Sequence, residues 1–167
     1  MIKKILLSAV VALTTLSATA DTLNVRTLFT EMPDSIMPYL TKNNRLDFID
    51  FMDSNMKAEV TNLLGGKSLM TALTDDSLSL TMNESCTIDL LLLKTNESVD
   101  STSQVLCLVR SLQVEKGEWQ SSVEFYTLKW CKLSSAPSLV PDDEKRLSST
   151  VKTLNIIELM LNKFNNN

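Results

Sequence analysis

The stretches CTIDLLLLK, residues 86–94, and QVLCLVRSLQV, residues 104–114, decide the fold. Both are nearly continuous in apolar residues, too short for core helices and rich in residues that suit a pleated surface. They are read as two strands of one sheet. Upstream, Ser68–Leu73 and Ser77–Met82 alternate polar and apolar with a period of two, and Thr74-Asp75-Asp76 between them is a turn signal. Asn83-Glu84-Ser85 and the polar stretch Thr95–Ser103 separate the later strands. After the turn Glu115-Lys116-Gly117-Glu118, a last strand-like run extends from Trp119 to Leu133. Neighbouring strands joined by short connections pair antiparallel, so the pattern predicts a meander of four to five strands with helices on one face.

Working towards the N-terminus, the period becomes helical. Thr22–Met32 is a short amphipathic piece stopped by Pro33, and Asp34 and Ser35 suit the cap of a brief turn around Ile36 and Met37. Asn43 or Asn44 is expected to cap a stronger helix running to about Asn55. Placing residues ~100° apart puts Phe48, Ile49, Phe51, Met52 and Met56 on one face and Asp47, Asp50 and Asp53 on the other. Towards the C-terminus, Pro137 and Pro141 bound a loop, and Asp142, Asp143 and Glu144 suit a helix N-terminus. Val151, Leu154, Ile157, Leu161 and Phe164 continue that amphipathic helix, and Asn165-Asn166-Asn167 is expected to be a disordered tail. The fold class is therefore α+β: N-terminal helices, the meander, and a C-terminal helix.

The first twenty residues are a processing segment. Lys3 and Lys4 form a positive start, Ile5–Leu16 is apolar, and Ala18-Thr19-Ala20 offers the small residues that a signal peptidase needs. Residues 21–167 then form a single domain. The apolar run falls short of the ~20 residues that span a bilayer, and no later run approaches that length. No Cys lies near the cleavage point, so the chain is expected to be exported, periplasmic or extracellular, and not a lipoprotein.

Composition excludes much chemistry. The chain has no His, 16 Lys+Arg against 20 Asp+Glu, and three Cys. Without imidazole there is no Ser-His-Asp triad, no Cys-His pair and no His-held metal. The acidic balance is wrong for phosphate contacts, so no nucleic-acid partner is expected. Cys86, Cys107 and Cys131 are odd in number and lie in or beside strands, where free thiols act as small hydrophobes. One disulfide with a spare thiol is the other reading, because an exported protein meets oxidising conditions.

Four motifs invite a functional reading. Gly65-Gly66-Lys67-Ser68 ends like a phosphate-binding loop, but the glycine required five residues before Gly66 is Thr61. The glycines are better read as the bend that ends the helical region. Asp47, Asp50 and Asp53 offer hard oxygen donors suited to calcium, yet Lys57 sits where a loop ligand belongs, so a solvated face is preferred. Asn83-Glu84-Ser85 and Asn96-Glu97-Ser98 fit a glycosylation sequon and also suit hairpin connections. Trp119, Tyr126 and Trp130 crowd the last strand. With strict alternation, Tyr126 and Trp130 share a face that is either covered by the C-terminal helix or open as an aromatic binding surface. No cofactor is indicated.

The stretch from Met32-Pro33-Asp34-Ser35 through Pro38-Tyr39-Leu40-Thr41 and on to Asn44-Arg45-Leu46-Asp47-Phe48-Ile49-Asp50-Phe51-Met52-Asp53 is a recognisable block. It continues through Met56–Val60, Leu64–Ser68 and Leu73–Leu80. With Val123-Glu124-Phe125-Tyr126-Thr127 and Trp130, it resembles a domain-of-unknown-function family of small exported proteins from Bacteroidales-type bacteria. The resemblance covers roughly two-thirds of residues 21–167 and stops at about Ser134. It implies export and kinship and brings no activity, cofactor or catalytic residue. At the level of fold alone, helices followed by a meander are also similar to small periplasmic modules of the outer-membrane assembly-factor and lactamase-inhibitor kind. The function expected is a non-catalytic envelope module that binds an envelope protein or polymer. The alternatives are a small carboxylate-based envelope hydrolase and a calcium-tuned binding module.

Overall fold

The computed structural model describes residues 23–152. Its centre is a six-stranded antiparallel sheet in which sequence neighbours are spatial neighbours throughout. The strands are β1 (Glu59–Thr61), β2 (Lys67–Leu73), β3 (Ser77–Asn83), β4 (Cys86–Val99), β5 (Thr102–Glu115) and β6 (Glu118–Tyr126). Helices α1 (Val25–Thr30) and α2 (Lys42–Asp53) precede the sheet, and α3 (Pro141–Thr150) follows it. The protein is thus α+β with six strands, where four to five were expected.

The extra strand and the altered boundaries have local causes. β1 is three residues long, too short to show a period, and pairs through Val60↔Ser68. Gly65, at φ +80°, makes the turn that closes the β1–β2 hairpin. The polar stretch around residues 95–103 is not a separator but the far end of the β4–β5 hairpin. Asp100 and Ser101 both take positive φ, the backbone that a tight two-residue turn between twisted strands requires. β6 ends at Tyr126, not Leu133, because the chain reverses: Thr127 N donates to the Cys131 carbonyl at 2.9 Å and Trp130 sits at φ 62°.

The sheet is covered on both faces, contrary to the one-sided expectation. Alternation sends Ile88, Leu90, Leu92, Leu106 and Leu108 to one face, where they meet Val25, Leu28, Phe29 and Phe48 of α1 and α2. The other parity sends Leu91, Leu93, Val105, Cys107 and Val109 to the opposite face, under Leu139 and Leu147 of α3 and the loop before it. That double burial is why β4 and β5 read as unbroken apolar runs.

Helix α2 starts two or three residues earlier than expected. Thr41 is the cap: Asn44 N donates to Thr41 Oγ1 at 3.2 Å, and Thr41 N donates back to Asn44 Oδ1 at 3.1 Å. Phe48 is fully buried, Ile49, Phe51 and Met52 half-buried, and Met56 exposed. Helix α3 is described to Thr150, and the expected continuation to Phe164 lies outside the described residues, as do the processing segment and the Asn165–Asn167 tail.

Candidate functional site

One residue of α2 shapes the ground next to the helices. Arg45 is 1% exposed and lies among apolar neighbours. Its Nη1 donates to the Leu40 carbonyl at 2.7 Å, and its Nη2 to the Met32 carbonyl at 2.7 Å and to Asp34 Oδ1 at 2.9 Å. A guanidinium suits this task because its fork of donors spans two carbonyls at once. It latches both ends of the loop from Met32 to Leu40, a segment without regular structure. Leu63 N donates to the Tyr39 carbonyl at 3.0 Å and ties the same loop to the β1–β2 turn. Asn62 holds that turn by donating to Ser68 Oγ at 2.9 Å and accepting from Leu64 N at 3.0 Å.

The latched loop stands clear of the sheet and leaves a groove of about 650 Å³ over the ends of β3 to β6. Ile36 and Tyr39 form one wall, Leu64 one end, Met82 and Ile88 the floor, and Leu112 the rim. Tyr39, Leu64 and Leu112 are exposed, and so are Leu63 and Val114 beside them. Most of the large apolar side chains that the described residues show to solvent therefore gather around this groove. Such clustering marks contact sites, whereas scattered exposed leucines mean little.

Charge enters the groove from the sheet. Arg110 and Glu124 sit on the inward parity of β5 and β6. Burial pushes the Glu124 carboxyl upward, but the hydrogen bonds from Lys132 and Tyr126 and the charges of Lys132 and Arg110 outweigh it, and Glu124 is held below the usual range. Tyr126 Oη donates to Glu124 Oε2 at 3.1 Å. Burial, then the charge of Glu124 and this bond, push the Tyr126 phenol up to about 12. Arg110 is less engaged: among the described residues its one side-chain hydrogen bond runs from Nη2 to the Ile36 carbonyl at 3.5 Å. Cys86 also faces the groove, its thiol pushed up by burial.

Of the candidate binding and metal residues singled out from sequence, Tyr126 alone lines the groove. Tyr126 and Trp130 are 5% and 8% exposed, with ring centroids 5.6 Å apart, and belong to the core under the helices. Trp130 Nε1 donates to the Leu28 carbonyl at 3.0 Å. Trp119 lies half-buried on the opposite face, with Lys152 Nζ 4.1 Å from its ring centroid. The three therefore share no exposed surface. Asp47 and Asp53 of α2 lie on the solvent side with Asp50, and Asp53 is paired with Arg26 at 2.5 Å. Among the described residues no group of three or more Cys, Asp and Glu side chains is placed to hold a metal ion.

Gly65-Gly66-Lys67-Ser68 leads into strand β2, so no helix N-terminus follows it to cradle phosphate. All three cysteines are free: Cys107 buried, Cys86 half-buried and Cys131 exposed. The signal for the groove was present in the sequence. Arg110 interrupts an apolar run at a position with the parity of Leu106 and Leu108, and Glu124 does the same opposite Leu108. A charge on the buried parity of a strand marks the place where the covering layer ends.

The geometry defines a six-stranded α+β meander with a latched apolar groove and one ionised acid in it. The chain belongs to the family described as protein of unknown function (DUF3256), whose model matches residues 16–162. Among solved structures it is similar to a domain of an uncharacterized protein from Porphyromonas gingivalis W83. The two share 20% identity and a TM-score of 0.53 over 65% of this chain and 52% of that one. That likeness concerns the fold alone, and the chain spans about half the length of its neighbour. No curated protein matches.

Proposed function

We propose that this protein is a non-catalytic interaction module that binds a protein partner through the groove over β3–β6, and that it works outside the cytoplasm. The observation that carries the binding reading is the groove itself. Its floor is apolar, exposed apolar side chains cluster on its rim, and Arg110, a residue type enriched at interfaces, reaches into it. Carboxylate-based hydrolysis would need two acids across a cleft, one of them held protonated. The groove offers Glu124 alone, kept ionised, while the half-buried Asp89 lies on the opposite face of the sheet. The calcium alternative is weakened because Arg26 takes Asp53. Export rests on Lys3, Lys4, the apolar run and Ala18-Thr19-Ala20, all outside the described residues.

The test is crosslinking in cells, comparing the native protein with Leu112→Glu in the groove rim and Asp50→Ala on the acid face. A discrete partner that Leu112→Glu loses and Asp50→Ala keeps supports the reading. A partner indifferent to Leu112→Glu, or none at all, sinks it. Fractionation of the same cells checks export, which requires a mature N-terminus at Asp21.

A further inference from the structure

We infer that the groove takes a fatty acid, with its single carboxylate on Arg110 and its aliphatic chain along Met82, Ile88 and Leu112. This goes beyond the partner reading, because it gives the same groove a small ligand of its own. The first observation is the balance of charge. Glu124 is already taken, paired with Lys132 and accepting from Tyr126 Oη at 3.1 Å. Arg110 is half-buried, and among the described residues it has no carboxylate within salt-bridge distance. Its one side-chain hydrogen bond there, to the Ile36 carbonyl, is 3.5 Å long. Two cations thus stand against one anion, and the surplus lies on a planar fork that can hold a carboxylate by two parallel bonds. A phosphate dianion would overshoot that balance by one charge.

The second observation is the ground around that fork. In the strand register Ile88 stands opposite Arg110, and Cys86 stands opposite Leu112, two residues along on the same face. On the other side the register partner of Arg110 is Ser122 of β6. An anion bound here leaves water for a largely apolar setting, where a charge-assisted bond is stronger. The aliphatic part of the same molecule then lies over Ile88 and Met82 without leaving the groove.

The third is what the groove withholds. Its floor is the face of a sheet, so the main-chain donors and acceptors there are spent in the ladders. Asn62 is spent as well, through Nδ2 to Ser68 Oγ at 2.9 Å and by accepting from Leu64 N at 3.0 Å. Ser35 and Asn83 are exposed at the rim. An extended peptide on this floor would bury amide groups without partners, whereas an aliphatic chain has none to bury. The groove volume of about 650 Å³ also falls in the range of roughly 300–1,000 Å³ that small ligands occupy.

Isothermal titration of the full chain with decanoate gives the test, with decanol as the uncharged probe of equal length. One decanoate is expected to bind, and decanol at least about tenfold more weakly, because a hydrogen bond to a charged group is lost. Arg110→Gln should bring decanoate down to the level of decanol and leave decanol unchanged, while Arg110→Lys keeps the preference. Failure of decanoate to bind, equal binding of decanol, or a preference that survives Arg110→Gln would each overturn the inference. A second arm needs no substitution. Amide shifts caused by decanoate should centre on residues 36–39, 82–88 and 110–112, and shifts confined to the surroundings of Trp119 and Lys152 on the opposite face count against the idea. Decanoate bound in this way, with no partner lost in Leu112→Glu, leaves this inference standing and ends the partner reading; a groove-dependent partner without decanoate binding does the reverse.

Discussion

Arg45 and Met32 lie thirteen residues apart, and the Arg45 guanidinium donates to the Met32 carbonyl at 2.7 Å inside the core. The same group satisfies the Leu40 carbonyl. Two ends of an irregular loop therefore depend on one side chain. Arg45→Met keeps the volume but leaves two buried carbonyls without donors, which costs about 1–3 kcal/mol for each group. The expected loss, read by urea denaturation, is about 3 kcal/mol. Asp34, whose side chain is 69% exposed, is the control, and Asp34→Asn should cost under about 1 kcal/mol. Equal losses for the two variants would mean that the carbonyl bonds do not hold the loop.

Trp130 joins the far end of the chain to its beginning, through Nε1 to the Leu28 carbonyl and a tilted contact with Tyr126. Trp130→Phe keeps a ring but orphans the carbonyl, with an expected cost of about 1–3 kcal/mol. Trp130→Ala adds a cavity and should cost about 3–5 kcal/mol. Thermal melts of both variants decide it. If Trp130→Ala is tolerated without loss, the ring contributes nothing to the core and the assignment of Trp130 to it is wrong.

What the sequence revealed follows from how many signals each element carried. Strand β3 was legible because period, length and turn residues agreed, and β4 and β5 because their apolar runs are short and flanked by polar residues. Strand β1 was not, since Glu59-Val60-Thr61 is held by its hairpin partner and not by any pattern of its own. Alternation put Tyr126 and Trp130 on one face, where the rings do meet, but it assumes that a strand continues. The backbone reverses at Thr127, and Trp130 is covered from α1 through Leu28. Arg45 escaped notice because a lone arginine on a helix is normally solvated, and only the tertiary position of two carbonyls makes it a core residue. The groove arises where the helix layer stops short of the strand ends. That is a matter of relative lengths in three dimensions, to which Arg110 and Glu124 were the only local clue.

Tyr126 gives the protein a pH dependence at the alkaline end. Its phenol titrates at about 12, against an ordinary value of 10.0, because burial and then Glu124 disfavour the charged form. Raising a folded-state value favours the protonated form in the fold. The contribution is present in full below about pH 10 and is lost between about 10 and 12. Tyr126→Phe should therefore lose less stability than the native protein between about pH 9.5 and 11.5, as urea midpoints would show. Parallel curves for the two proteins would mean that Tyr126 is not linked to folding.

Asp89 predicts the opposite sign at the acid end. Burial raises its carboxyl, opposed by the bond from Ser79 Oγ at 2.5 Å and by the Lys152 charge. A carboxyl raised on folding is a liability while ionised, and the liability fades as pH falls through its folded value. Asp89→Asn keeps an acceptor for Ser79 and removes the charge, so it should stabilise the protein at about pH 7 and make no difference near about pH 3. A variant that is less stable at neutral pH would show that Lys152 compensates the charge fully.

The thiols test the burial pattern directly, because reactivity follows thiolate content and access. Cys131 is exposed in the turn after Tyr126, Cys86 is half-buried with its thiol pushed up, and Cys107 is buried and raised further. A thiol reagent at about pH 8 should modify Cys131 first and Cys86 much more slowly. Cys107 should react only at the rate of global unfolding, since its side chain faces the core under α3. Three thiols titrated in denaturant confirm that none is paired, and Cys131→Ser should remove the fast phase alone. Fast reaction at Cys107 in the folded protein would mean that α3 opens readily from the sheet, and the layer that makes this a two-faced core would have to be reassigned to a mobile cover.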